Sequence, residues 1–229
     1  MKKICIIPAR GGSKRIPRKN IKPFLGKPII AYSIQAAIES QLFDEVMVST
    51  DDEEIADIAK EYGAKVPFYR SPETSNDFAI TVDVLNEVLN EYEKMGQKFD
   101  YVCCIYPTAL FITPVKLRTS FETMVNKGYD SAFPIVQYSY PIQRGLIIND
   151  NERVNMIWPK YIKSRSQELT PTYHDAGQFY FSTVKKFRET NAMKGDNTYG
   201  IVTSELEVQD LDTMTDWELA ELKYKRLIK

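Results

Sequence analysis

The sequence predicts an α/β domain with a mostly parallel sheet, and three observations carry that prediction. Short apolar, β-branched runs alternate four times with stripes of helical period between residues 3 and 128. One run, 101–106, is apolar throughout, as in a strand covered on both faces. Gly63, Gly96 and Gly128 close three of the helical stripes.

Taken in order, residues 3–7 form the first strand, and Ile30, Ile34, Ala37 and Ile38 form a helical stripe with Pro28 suited to its first turn. Residues 45–50 give the second strand. The acidic run 51–54 then opens a helix with Ile55, Ile58, Ala59 and Tyr62 on its buried face. A third strand is expected over 64–69, and a helix on Val84, Val88, Leu89 and Tyr92 precedes the strand 101–106. Thr113-Pro114 caps the next helix, whose face is Leu117, Phe121, Met124 and Val125. After a strand at 131–136 the rhythm breaks. Apolar runs at 146–148 and 154–158 flank the turn Asn149-Asp150-Asn151-Glu152, which predicts a β-hairpin inside an excursion spanning 138–175. Strands at 178–181 and 199–202 resume the pattern. The final helix is expected to open on a capping box of Thr215 and Glu218 and to bury Trp217, Ala220, Tyr224 and Leu227. With no internal repeat and no Pro/Gly/Ser-rich linker, 1–229 reads as one domain with 138–175 as an insertion.

At 229 residues, 43% hydrophobic and 27% charged, the chain suffices for a self-supporting core, which excludes a disordered or low-complexity class. No apolar run reaches 18 residues, so no spanning helix is expected, and the N-terminal apolar stretch is cut by Pro8 and Arg10. A cytoplasmic protein is the expectation. Cys5, Cys103 and Cys104 fall in strand-like runs and read as core thiols; with His174 the only histidine, a structural zinc site cannot be assembled. The net charge of −1 conceals an asymmetry: residues 1–38 hold nine Lys or Arg and no acid, leaving 21 basic against 31 acidic groups elsewhere. A basic segment on an acidic body points to a local anion site rather than a nucleic-acid surface.

The residue order inside that segment sharpens the reading. In Pro8-Ala9-Arg10-Gly11-Gly12-Ser13-Lys14-Arg15-Ile16-Pro17-Arg18-Lys19-Asn20 a strand runs into two glycines that free the backbone to turn N–H groups toward an anion. Five cations stand within ten residues, a density suited to several phosphates. Neither GxxxxGK[ST] nor GxGxxG leading into a helix is present, so the two common phosphate loops are excluded.

That run resembles the N-terminal signature of the sugar-acid cytidylyltransferases, which make CMP-activated nonulosonic acids, and the resemblance extends over nearly the whole chain. Val48-Ser49-Thr50-Asp51-Asp52 is similar to the family's second strand and turn, Arg70-Ser71-Pro72-Glu73 with Asp77 to its base-and-ribose loop, and Pro107-Thr108 to part of its fourth-strand loop. Val208-Gln209-Asp210-Leu211-Asp212-Thr213 is similar to its metal motif, and Tyr173-His174-Asp175-Ala176-Gly177 most resembles the pseudaminic acid branch. The resemblance implies a Rossmann-like nucleotide-diphospho-sugar transferase fold, with helices on both faces of a mixed, mostly parallel sheet. It implies a reaction in which the anomeric hydroxyl of a nine-carbon sugar acid attacks the α-phosphate of CTP and expels pyrophosphate, feeding surface or flagellar glycan synthesis. By the same resemblance Arg10, Ser13, Lys14 and Lys19 hold the triphosphate on the loop of Pro8, Ala9, Gly11 and Gly12. Asn20, Arg70 and Asp77 face the nucleotide, Asp210 and Asp212 bind Mg²⁺, and catalysis rests on Arg10, Lys19, Asp210 and Asp212.

Departures from the family pattern fall in the sugar site. Ala109-Leu110-Phe111-Ile112-Thr113 replaces a loop that carries arginine in the sialic acid branch, and His174 stands where that branch tends to have arginine. Thr108, Gln143, Arg144, Arg165, His174, Asp175 and Gln178 are therefore the candidate sugar contacts, Arg144 and Arg165 through bidentate pairing with a carboxylate. N-acetylneuraminic, legionaminic and 3-deoxy-manno-octulosonic acid are the alternative substrates. A nicotinamide-dependent oxidoreductase with Asp51 on the ribose lacks its third glycine. A non-catalytic nucleotide-binding protein has no need of Asp210 and Asp212 together with Arg10 and Lys19. Ile147, Ile148, Met156, Ile157 and Trp158 exceed what a lone hairpin keeps in water, so a homodimer through 138–175 is expected.

Overall fold

The computed structural model describes residues 1–227. From β1 (Lys3–Pro8) a long loop leads to a small ribbon of β2 (Pro23–Phe24) and β3 (Lys27–Pro28), then to α1 (Ile29–Glu39). β4 (Glu45–Ser49), α2 (Glu53–Glu61), the single turn α3 (Pro72–Ser75), α4 (Thr81–Lys94), β5 (Tyr101–Ile105), α5 (Pro114–Asn126) and β6 (Ser131–Gln137) follow. The excursion holds the hairpin of β7 (Leu146–Ile148) and β8 (Val154–Met156) and returns through β9 (Tyr173–Asp175). β10 (Phe179–Thr183), α6 (Val184–Thr190), β11 (Thr198–Val202) and α7 (Met214–Leu227) complete the chain.

The main sheet has the order β11-β6-β10-β5-β1-β4, with β9 also paired to β6. β1 is parallel to both β4 and β5, and β6 to β11, whereas β10 runs against β5 and β6 and β9 runs against β6. The sheet is thus mixed and mostly parallel. The chain passes from β1 to β4 on one side and returns to β5 on the other, which makes the β1/β5 boundary a topological switch point.

Helices cover both faces. Val48, Ile34, Ile55, Leu117 and Phe121 share one core with Cys5 and Cys103, while Ile4, Ile6 and Cys104 pack against Leu85, Leu89 and Tyr92 on the other. The three thiols are buried, and burial pushes each of them up. A third cluster joins Ile16, Phe24, Tyr32 and Leu211 to Trp217 and Ala220, seating α7 over the loop that follows β1.

Four local expectations are corrected. The strand expected at 64–69 shrinks to a single bridge between Lys65 and Met47, because Pro67 has no N–H with which to continue the ladder. The cap of α7 is Thr213 with Asp216, not Thr215 with Glu218: Asp216 Oδ2 accepts from the Thr213 amide at 2.7 Å and Thr213 Oγ1 accepts from the Asp216 amide at 3.3 Å. Leu227 and Ile38 are exposed rather than buried. The strand expected at 154–158 stops at Met156, since Trp158 opens a 3-10 turn at Pro159.

Candidate active site

The carboxyl ends of β1 and β5 open into a cavity of about 560 Å³, at the switch point where ligands of α/β sheets bind. Pro8, Arg10, Ser13, Lys14, Arg15, Lys19 and Asn20 line it from the first loop, with Arg70, Thr81, Tyr106, Pro107, Thr108 and Asp210 opposite. A Cβ at Gly11 would lie 2.6 Å from Asp52 Oδ2, so a larger residue there must displace the Asp52 side chain. The Gly11 amide donates to Asp51 Oδ1 at 2.9 Å. A Cβ at Gly12 would meet nothing within 4 Å, so of the two glycines only the first is tied to close approach.

The five cations divide by their partners. Arg18 adopts φ 54° and forms a two-pronged pair with Asp52 plus a contact to Glu54, which clamps the loop to the start of α2 and occupies it structurally. The Arg18 guanidinium holds the Asp52 carboxyl below the usual carboxylate range. Arg15 Nη1 is 2.7 Å from Asp212 Oδ2. Lys19 Nζ donates to the Leu211 carbonyl at 2.7 Å and stands 3.9 Å from Asp212 Oδ1. Burial pulls the Lys19 ammonium below its ordinary value, against the attraction of Asp212 and Asp210. Arg10 Nη1 and Lys14 Nζ both reach Asp77, at 2.8 and 2.5 Å, and these two bonds depress its carboxyl, Lys14 the more. Asp77 is thus paired with two cations of the first loop and does not itself line the cavity.

Asn20 is buried, and its Nδ2 donates to the Arg10 carbonyl at 3.0 Å, so it fixes the loop while lining the cavity. Arg70 is also buried. It donates through Nη2 to the Ser49 carbonyl at 2.8 Å and through Nε to Ser49 Oγ at 3.2 Å, and burial lowers its pKa.

A second cavity of about 380 Å³ adjoins the first and shares Tyr106, Thr108 and Asp210 with it. His174, Asp175, Gly177, Gln209 and Lys223 lie on its wall. His174 Nδ1 is 2.9 Å from the Asp175 carbonyl, and its ring tilts against Tyr138 at 5.0 Å. Asp175 is fully engaged: Oδ1 accepts from Tyr180 Oη at 2.8 Å and from the Gly177 amide at 2.9 Å, and Oδ2 faces Lys194 Nζ at 3.1 Å. Asp210, exposed at the junction of the cavities, has no ion pair among the described residues.

The structure does not bring every expected sugar contact to this cavity. Gln178 is buried, with Nε2 donating to the Glu207 carbonyl at 2.5 Å. Gln143 bonds the Thr170 carbonyl, and Arg144 lines a separate cavity beside Tyr140 and Ser166. Arg165 is exposed on the insertion. Conversely, Tyr106, Thr81 and Lys223 were missed. Tyr106 carried a signal, a polar aromatic at the carboxyl end of a core strand; Thr81 and Lys223 sit in amphipathic helices and carried none.

A donor-rich cavity at the switch point of this sheet, with a second cavity alongside, suits a polyanionic nucleotide and a second substrate. The chain belongs to the cytidylyltransferase family, whose model matches residues 4–206. It is 45% identical to a pseudaminic acid cytidylyltransferase of Campylobacter jejuni (strain 81-176), over 98% of this chain and 97% of that one. It is 31% identical to a CMP-N,N'-diacetyllegionaminic acid synthase of Legionella pneumophila, covering 96% and 95% of the two chains. Among solved structures, a CMP:2-keto-3-deoxy-manno-octonic acid synthetase complexed with CTP superposes with a TM-score of 0.70 at 20% identity, over 99% of this chain and 100% of the other. At that identity the likeness speaks for the fold.

Proposed function

We propose that this cytidylyltransferase joins CTP to pseudaminic acid, giving the CMP-sugar and pyrophosphate. The observation that carries the reading is the shared wall of Tyr106, Thr108 and Asp210 between a cationic cavity and a neighbouring cavity poor in cations. A triphosphate in the first and a sugar acid in the second meet at that wall, where the α-phosphate and the anomeric hydroxyl must react. The identity to the Campylobacter enzyme favours pseudaminic acid over legionaminic or N-acetylneuraminic acid.

Positioning and charge neutralisation supply most of the catalysis in such a transfer. Arg10 and Lys14 exchange Asp77 for phosphate oxygens, and Lys19, held by Leu211 and Asp212, presents a fixed ammonium to the reacting phosphate. Arg70 and Asn20 keep the floor of the nucleotide cavity rigid. The donor set suits Mg²⁺, which favours one or two carboxylates plus phosphate oxygens: Asp210, without an ion pair among the described residues, would hold it, while Asp212 is engaged by Arg15 and Lys19. When bound, the ion supplies positive charge to the phosphates. Among the described residues no cluster of three or more His, Cys, Asp or Glu exists, so the substrate would complete the coordination.

The insertion supports a homodimer. Leu146, Ile147, Ile148, Val154, Ile157 and Trp158 are all exposed on one protomer, and a second copy would cover them and bring Arg144 or Arg165 toward a neighbour's sugar cavity. No helix among the described residues is long and apolar enough to cross a membrane, and use of CTP favours the cytoplasm as the place of action. Incubation with CTP, Mg²⁺ and a panel of sugar acids, read by product mass, tests the reading. CMP-pseudaminic acid as the dominant product is expected; preference for another acid replaces the substrate, and no product from any acid overturns the activity.

A further inference from the structure

A sugar acid brings a carboxylate into its cavity, yet the cations that sequence reasoning assigned to it, Arg144 and Arg165, do not line the second cavity of their own chain. Among the described residues on that wall Lys223 is the sole Lys or Arg. It projects from α7, whose Trp217 and Ala220 are buried in the third core cluster. Its Nζ donates to the Val208 carbonyl at 2.7 Å and to the Glu205 carbonyl at 3.1 Å. An ammonium has three N–H donors and no acceptor, so two of them tie the side chain down and one remains. The two carbonyls belong to the segment that leads into Asp210, and Val208 is only two residues from it, a reach of roughly 7 Å along the chain. The fixed ammonium thus stands close to the junction of the two cavities.

The other cations nearby do not compete for the role. Asp175 is answered by Lys194, which lies outside the cavity wall. Arg10, Lys14 and Lys19 line the first cavity, where the triphosphate needs them. In a keto-sugar acid the carboxylate is bonded to the anomeric carbon, whose hydroxyl must reach the α-phosphate at the shared wall. A cation that reads the carboxylate must therefore lie near Asp210 but on the sugar side of it, and Lys223 satisfies both conditions.

We propose that Lys223 is the carboxylate-reading residue of the sugar cavity, its ammonium held on the Glu205 and Val208 carbonyls and its remaining N–H directed to the sugar acid. This rests on the cytidylyltransferase reading above. It makes Lys223 a determinant of acid recognition and of the orientation of the attacking hydroxyl.

The test compares wild type with Lys223→Met, Lys223→Gln and Lys223→Arg, using the sugar acid that wild type accepts and its C1 carboxamide as a competitive inhibitor. Loss of a charge-assisted hydrogen bond is expected to raise KM for the sugar acid roughly 10- to 100-fold in the Met and Gln variants. KM for CTP should stay within about twofold, and the Arg variant should recover most of the loss. Wild type should bind the acid more tightly than the amide, and the Met and Gln variants should treat the two alike. A purely structural lysine would weaken acid and amide equally; that result, or an unchanged KM for the acid, overturns the proposal. Should Lys223→Met fail to fold, the Gln variant decides by the same acid-to-amide ratio. A wild type that turns over no sugar acid overturns the activity itself and the proposal with it, which separates that failure from one confined to Lys223.

Discussion

The guanidinium of Arg10 donates to the carboxylate of Asp77 at 2.8 Å, across 67 residues of sequence, and Lys14 shares the same acid. On the function proposed above, a side chain of the protein occupies the cations that a triphosphate would need, and binding of CTP would exchange one anion for another.

The first prediction follows from that exchange. Asp77→Asn removes the competing charge and should lower Kd for CTP about two- to fivefold, the scale of an exposed ion pair. Calorimetric titration of CTP into both proteins measures it. A weaker affinity in the variant would mean that Asp77 contacts the nucleotide directly.

The acidic pair after β11 gives the second. Asp210, at the junction of the cavities, has no ion pair among the described residues, whereas Asp212 is bound to Arg15 and approached by Lys19. Asp210→Asn should cost roughly 10²–10³ in kcat and abolish the dependence on added Mg²⁺. Asp212→Asn should cost less, about tenfold, by loosening Lys19 rather than the metal. Neither residue supplies the side-chain cap of α7, which belongs to Thr213 and Asp216, so both variants should fold. Titrating Mg²⁺ against turnover after chelation separates the two roles; identical profiles for both variants would assign both to the metal.

The third concerns acid stability. Asp52 is paired with Arg18 and caps α2 by accepting from the Ile55 amide at 3.0 Å. Its folded pKa lies below the ordinary Asp value of about 3.9. A depressed carboxyl contributes stability that is complete above the unfolded pKa and is lost as pH falls through the folded one. Asp52→Asn keeps a capping side chain but removes the charge, so wild type should exceed the variant by about 1 kcal/mol at pH 7, after allowance for the exposure of Arg18. The difference should vanish in acid below the lowered pKa. Urea melts at neutral and acid pH check this, and a difference that does not change with pH would assign the effect to packing.

These pairings also mark where sequence reasoning stops. The strands 3–7 and 101–106 were readable because buried parallel strands are apolar throughout, and Thr113-Pro114 was readable because a cap is local. The direction of β10 was not, since the buried run Phe179-Tyr180-Phe181 reads the same whichever way the strand lies in the sheet. Arg10 and Arg18 look alike in sequence; only the fold brings Asp52 and Glu54 to one and Asp77 to the other. Thr213 and Thr215 both precede an acid by three residues, and the choice between them is made by where Leu211 and Trp217 bury. The loop side of the first cavity was thus visible as a contiguous motif. The second cavity, assembled from His174, Asp210 and Lys223 on separate elements, was visible only in part.

The last prediction concerns the insertion. The insertion leaves Ile148 of the hairpin at 74% and Trp158, just beyond it, at 39% exposure, and an isolated two-stranded ribbon is marginal in water. The buried oxygens Gln143 Oε1 and Thr172 Oγ1, at the base of the same excursion, have no hydrogen-bond partner among the described residues. Covering this face with a second copy removes the apolar surface from water, and two-fold symmetry lets each hairpin meet its equivalent. Light scattering at micromolar concentration should therefore report a dimer mass for wild type. Ile148→Asp combined with Trp158→Asp places four charges in the symmetric interface and should give a monomer with unchanged CTP binding. A wild-type monomer, or a dimer that survives both substitutions, moves the interface elsewhere. If the monomer keeps its affinity for CTP but loses affinity for the sugar acid, the neighbour's insertion completes the sugar cavity, and Lys223 reads the carboxylate with help from across the interface.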